Sequence, residues 1–203
     1  MITLYWNPQT RAERMFWLLE EIDEPYRLER FNYKDGAQPS EAFKQASPLR
    51  KLPALSDDDV HLADSAAIAL YLADRYAMGR LAPALDDPAR GPYLYWMFFT
   101  PSALEPAIAE KVGGLEPRPT SYPWGTFDRM TGAFEDRLKG RHWIASDSFT
   151  MADAVMSSSI AYIAAFKLYE PVPHVADYLA RCTDRPSYAA AAKRLEEAMA
   201  ALA

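Results

Sequence analysis

Cysteine, histidine and glycine are scarce in this chain: 203 residues contain one cysteine, three histidines and eight glycines. The lone Cys182 cannot form an internal bridge, which excludes a disulfide framework and any cysteine-rich metal centre. His61, His142 and His174 are far apart, and no HExxH or CxxC accompanies them, so no metal site is expected. Neither GxGxxG after the first apolar run nor GxxxxGK[ST] is present, which leaves dinucleotide and nucleotide phosphate loops unsupported, and GxSxG is missing too. No apolar run approaches the roughly 20 residues of a membrane span, and no leader-like segment opens the chain. A dense Lys/Arg run is also missing, and the net charge is -6, which argues against nucleic acid or an anionic membrane as partner. What is present is a composition for packing, 50% hydrophobic and 13% aromatic with 25% charged residues. These features set the expectation of a soluble cytoplasmic protein in a reducing compartment.

The first 78 residues alternate strand and helix patterns. Ile2 to Trp6 is a short apolar run stopped by Asn7-Pro8 and reads as a buried strand. Thr10 to Glu13 fits a capping box, and Ala12, Phe16, Leu19 and Ile22 follow at helical spacing. Tyr26 to Phe31 reads as a second strand, parallel to the first, and the polar stretch from Asn32 to Pro39 leads to a short helix at Ser40 to Ala46. Lys51 to Leu55 and Val60 to Leu62 flank the turn Asp57-Asp58-Asp59 as a hairpin, and Asp64-Ser65 opens a third helix running to about Tyr76. The turn-rich segment from Gly79 to Pro88 marks a boundary. Beyond it helical spacing recurs over about 90–110, 122–138, 151–168, 172–182 and 187–202 without strand alternation. The expected domains are thus 1–78, mixed α/β, and 86–203, all helical.

Several residues allow two readings. The Thr10 hydroxyl can cap the first helix, or point from its positive end toward a bound anion such as a thiolate. Tyr5 can pack in the core or donate a phenolic hydrogen bond. A cis Leu52–Pro53 bond would turn the Leu52 backbone groups toward an extended, peptide-like ligand. Ser65 can cap the third helix, or hold a ligand carboxylate with Asp64 pairing to an ammonium group. The aromatic run Tyr93, Tyr95, Trp96, Met97, Phe98 and Phe99 cannot face one way on a helix. One face suits a core or dimer seam, and another an acceptor pocket.

Taken together, LYWNPQTR, SPLRKLPAL, LADSAAIALYLADRY, the interdomain LAP and WIASDSFTMADA resemble the glutathione transferase family over nearly the whole chain. The resemblance implies a thioredoxin-like N-terminal domain followed by an all-helical one, with glutathione as co-substrate and no metal. It places the cysteinyl part of glutathione on the Leu52 backbone beside a cis Pro53, its γ-glutamyl end on Asp64 and Ser65, and Lys51 among the binding positions. Thr10, and secondarily Tyr5, would activate the thiol. The implied reaction is conjugation to small hydrophobic electrophiles by a homodimer, with neither nucleic acid nor membrane as partner. Thiol transfer, peroxidase or isomerase activity, or non-catalytic binding, is the alternative.

Overall fold

A computed structural model describes residues 1–32 and 38–202. Positions 33–37 of the polar stretch before the second helix lie outside the described residues. The chain forms two compact units, Met1–Ala77 together with Asp184–Ala203, and Met78–Thr183.

The first unit holds a four-stranded sheet built from β1 (Ile2–Trp6), β2 (Tyr26–Arg30), β3 (Ala54–Asp57) and β4 (Val60–Ala63), in the spatial order β2-β1-β3-β4. β1 runs parallel to β2 and antiparallel to β3, and β3 pairs antiparallel with β4. Three helices connect and cover the strands: α1 (Glu13–Ile22), α2 (Glu41–Ala46) and α3 (Ser65–Tyr76). The strand alternation sorts the two faces. Tyr5 and Ala54 pack with Phe43 and Ala46 of α2, while α1 buries Met15, Phe16, Leu18, Leu19 and Ile22. Asp23 in the left-handed region (φ 59) and then Pro25 end α1.

The first strand of the hairpin lies two to three residues later than its apolar pattern suggests, while the second begins at Val60 as expected. Asp57 belongs to β3 rather than to the turn, because its carboxylate accepts hydrogen bonds from Tyr71 at 2.9 Å and from Tyr76, which fasten α3 to the sheet. Burial pushes the Asp57 pKa up, but the two phenols and Arg75 outweigh it and hold the carboxyl below its ordinary range.

The second unit is helical among its described residues: α4 (Arg90–Phe99), a π-helical turn at Thr100–Leu104, α5 (Glu105–Gly113), α6 (Phe127–Leu138), α7 (Met151–Ala165) and α8 (Pro173–Thr183). The expected single helix over 90–110 is interrupted because Pro101 and Pro106 each lack the N–H that an α-helical ladder needs, and the wider turn absorbs the loss. At the start of α7, Asp153 is fully buried and accepts from the amides of Thr150 and Ile144 at 2.8 and 2.7 Å and from the Thr150 hydroxyl at 2.9 Å. Thr150 and Asp153 form a reciprocal capping box there.

The last helix, α9 (Pro186–Ala200), belongs to the first unit. Its sequence position had grouped it with the helical domain over 86–203. Arg185 donates to Glu21 of α1 at 2.6 and 2.8 Å, and Tyr188 stacks edge-on against Trp17 with centroids 5.1 Å apart. These contacts return the end of the chain to α1.

Candidate functional site

Strand register decides which of the candidate residues meet. Tyr5 of β1 lies opposite Ala54 of β3, and Ala54 lies opposite Ala63 of β4, so one row crosses three strands. The segments just beyond that row leave the sheet at the same end: the turn from Asn7 to Ala12 after β1, Leu52–Pro53 before β3, and Asp64–Ser65 after β4. Residues far apart in sequence are thus gathered at one rim, as are the loops of other sheet-based ligand sites.

Each part of the rim has its own local cause. The Leu52–Pro53 peptide is cis, and Ser47 braces the approach to it. The Ser47 hydroxyl donates to the Lys51 carbonyl and accepts from the Lys51 amide, both at 2.8 Å. Lys51 is exposed.

At the start of α3 it is Asp64, rather than Ser65, that caps. Its carboxylate accepts from the amides of Ala66 at 2.8 Å and Ala67 at 3.2 Å, while Ser65 occupies the first helical position, buried at 7% exposure. A carboxylate is the stronger acceptor for orphan helix amides and suits the positive end of the helix dipole. Asp64 holds φ 79, ψ 132, a conformation that a residue with a Cβ adopts only under constraint, and such strain concentrates at ligand clamps.

Thr10 does not form the expected box with Glu13. α1 begins at Glu13 with Ala12 as cap, and the Glu13 carboxylate takes the amide of Gln9 at 2.6 Å instead. The Thr10 hydroxyl donates to the Asn7 carbonyl at 2.7 Å and accepts from the Ala12 amide at 3.3 Å. The cause is Gln9, whose positive φ of 62 reverses the chain early and leaves a turn before the helix.

Tyr5 is a core residue at 2% exposure, packed on Phe43, with its hydroxyl 3.1 Å from Ser56 Oγ. Ser56 Oγ in turn lies 2.8 Å from His61 Nδ1, which is exposed. The phenol is therefore committed to the sheet rather than offered at the rim, because the alternation of β1 sends Tyr5 toward α2.

Sequence reading missed Asn7, which it took only as a strand stop. Asn7 is buried, its Oδ1 accepts from Arg30 Nε at 3.1 Å, and its carbonyl receives the Thr10 hydroxyl. A buried Asn directly after a strand is the signal that could have found it, since a buried carboxamide requires partners. The lone cysteine lies outside the rim altogether. Cys182 is buried in α8, and burial foremost pushes its thiol up to about 12. Among the described residues, no group of three or more His, Cys, Asp or Glu could hold a metal ion.

The aromatic run in α4 divides as helical geometry demands. Tyr93, Trp96, Met97 and Phe99 are buried, while Tyr95 and Phe98 are 59% and 43% exposed. The exposed pair lines a pocket of about 360 Å³ with Phe99, Trp124, Arg129 and Met130, all within the helical unit.

The glutathione S-transferase N-terminal domain matches residues 10–75, and the glutathione S-transferase C-terminal domain matches residues 125–186. The chain belongs to the glutathione S-transferase family. Glutathione S-transferase 3 of Schizosaccharomyces pombe is 28% identical, over 97% of this chain and 89% of its own. Disulfide-bond oxidoreductase YfcG of Escherichia coli is 26% identical over 75% and 76% of the two chains. Among solved structures, a glutathione transferase family member from Pseudomonas fluorescens with two glutathione bound superposes with a TM-score of 0.72 at 26% identity, covering 94% of this chain and 91% of that one. No helix among the described residues is long and apolar enough to cross a membrane.

Proposed function

We propose that this chain binds glutathione along the sheet rim and conjugates its thiol to small apolar electrophiles. The observation that carries the reading is the Tyr5, Ala54, Ala63 row, which gathers the Thr10 turn, the cis Leu52–Pro53 peptide and the Asp64–Ser65 helix start at one end of the sheet. Leu52 offers backbone groups to the cysteinyl part of the tripeptide. Ser65 and the first turn of α3 receive the γ-glutamyl carboxylate, Asp64 faces its ammonium group, and exposed Lys51 adds a cation for a carboxylate. Thr10 turns its proton from the Asn7 carbonyl to the sulfur, which favours the thiolate at the positive end of α1. The thiol proton leaves to solvent, and the sulfur lone pair forms the bond to the electrophilic carbon as that carbon's bond to its leaving group breaks and the leaving group departs with the bonding pair. The attacking sulfur comes from glutathione, since Cys182 is buried and its thiol pKa is raised.

The reading includes a homodimer in a reducing, cytoplasmic setting. Exposed Tyr95 and Phe98 support self-association, because neighbouring large aromatics are seldom left open on a monomer. A second reading, glutathione-dependent disulfide exchange, is favoured by the similarity to a protein named as a disulfide-bond oxidoreductase. There the glutathione thiolate attacks a disulfide sulfur and releases the other sulfur as a thiolate.

Retention on immobilised glutathione, followed by turnover measurements on a panel of electrophiles and a small disulfide, tests both readings. Conjugation supports the first, and disulfide reduction without conjugation supports the second. Failure to bind glutathione overturns both.

A further inference from the structure

A second cluster of chemistry lies in the helical unit. Arg141 and His142, in the loop after α6, and His174 and Arg181, on α8, line one open-mouthed pocket of about 260 Å³ with a single acidic residue, Asp177. Four basic side chains around one pocket are unexpected in a chain whose net charge is -6.

Holding the fold together accounts for only part of this cluster. His174 Nε2 donates to the Glu135 carbonyl at 2.9 Å, and Arg181 Nη2 donates to the His142 carbonyl at 3.3 Å. Those bonds use one N–H of each residue. Arg181 Nε is buried, and among the described residues no acceptor lies within its reach. A buried donor without a partner is rare in a folded protein, and it leaves this guanidinium short of an acceptor. Arg141 makes no ion pair or side-chain hydrogen bond among the described residues, and neither does Asp177. The guanidinium of Arg137, one helical turn before Arg141, donates to the carbonyls of Ile144 and Ala145 and adds a further positive charge behind the loop.

We propose that this pocket is an anion site for a phosphate group. Two guanidinium groups from separate elements, with two imidazoles lining the same pocket, offer more N–H donors than one carboxylate can accept. A dianionic phosphate presents three acceptor oxygens to several directions at once. The free ion and a small phosphate monoester share this chemistry. No residue of the site belongs to the unit that carries the glutathione rim.

The test is calorimetric titration of the full chain with inorganic phosphate and with glycerol phosphate, at ionic strength held constant with chloride. Expected are saturable binding and a loss of about tenfold or more in affinity in each of Arg181→Gln and Arg141→Gln. Arg141→Gln keeps the test valid if the Arg181 variant misfolds, because the Arg141 side chain makes no hydrogen bond among the described residues. Tighter binding of glycerol phosphate marks the ligand as an ester and tighter binding of phosphate marks it as the free ion, and either order supports the site. Binding that chloride abolishes, or that both substitutions leave unchanged, overturns it.

Discussion

The Thr10 hydroxyl has one proton, and the turn between β1 and α1 already uses it on the Asn7 carbonyl. Activation of a thiol there requires the hydroxyl proton to swing about the Cβ–Oγ bond, which exchanges that hydrogen bond for one to sulfur. A hydrogen bond to an anion contributes about 1.5–3 kcal/mol against roughly 1 for the neutral one, so the exchange is favourable when thiolate is present. Thr10→Ala is expected to lower kcat/KM for conjugation by about tenfold to hundredfold and to raise the bound thiol's pKa by about one unit. Thr10→Ser, with the hydroxyl kept, should restore most of both. An unchanged pH–rate profile in Thr10→Ala would remove Thr10 from the chemistry. Asp64 allows its structural and ligand roles to be separated in the same way. Asn caps a helix as well as Asp and tolerates positive φ, so Asp64→Asn should keep the urea midpoint while weakening glutathione binding. Asp64→Ala should lose the binding and also about 1 kcal/mol of stability. Equal glutathione affinity in wild type and Asp64→Asn would show that the carboxylate charge does not face the ligand.

Helix α9 is tied to α1 by a charge that is almost wholly buried. The Glu21 side chain is 3% exposed and Arg185 is 29% exposed. Burial pushes the Glu21 pKa up, but the bonds from Arg185, Ser187 and Trp17 outweigh it and leave the carboxyl below its usual 4.5. The unfolded chain therefore binds a proton at Glu21 more readily than the folded one. The pair's contribution is complete above about pH 5 and is lost as pH falls through the folded value. Glu21→Gln leaves Arg185 without its anion and should cost about 3 kcal/mol near neutral pH, with the gap to wild type closing as pH falls through the folded pKa of Glu21. Urea denaturation across that range reads the difference, and a gap independent of pH would show that packing rather than charge holds α9. The existence of α9 was legible in its Ala-rich spacing and the Pro186 start, but its place was not. A 3.6-residue period identifies a buried face without saying what buries it, and the partner of Arg185 lies 164 positions away. The candidate site divides along the same line. Pro53, Asp64 and Ser65 could be read because each marks a local backbone event. The commitment of Tyr5 to Ser56 depends on strand pairing, and Asn7 on the distant Arg30, so neither was visible in local pattern.

At the level of the whole chain, the first unit is discontinuous, since its sheet comes from the first 77 residues and one covering helix from the last 20. Such a unit closes only after the helical stretch between has been traversed, which makes its stability depend on contacts of large sequence separation. The proposed self-association draws on the other unit. Phe98→Glu places a charge on the exposed aromatic face and is expected to shift the chain from dimer to monomer by analytical ultracentrifugation, with its circular dichroism spectrum intact. A dimer that persists in that variant would move the interface away from α4. Truncation tests the discontinuity itself. A chain ending at Thr183 loses the edge-on contact to Trp17 and all three of the bonds that Arg185 and Ser187 give to Glu21. The lost apolar cover and the lost ion pair together cost about 5 kcal/mol or more, comparable with the whole stability of an ordinary domain. The shortened chain is expected to bind a hydrophobic dye and to lose its cooperative urea transition in the first unit, followed through the fluorescence of Trp6 and Trp17. Retention of a native midpoint would mean that α1 and the sheet are self-sufficient, and that the returning helix covers a surface already stable without it.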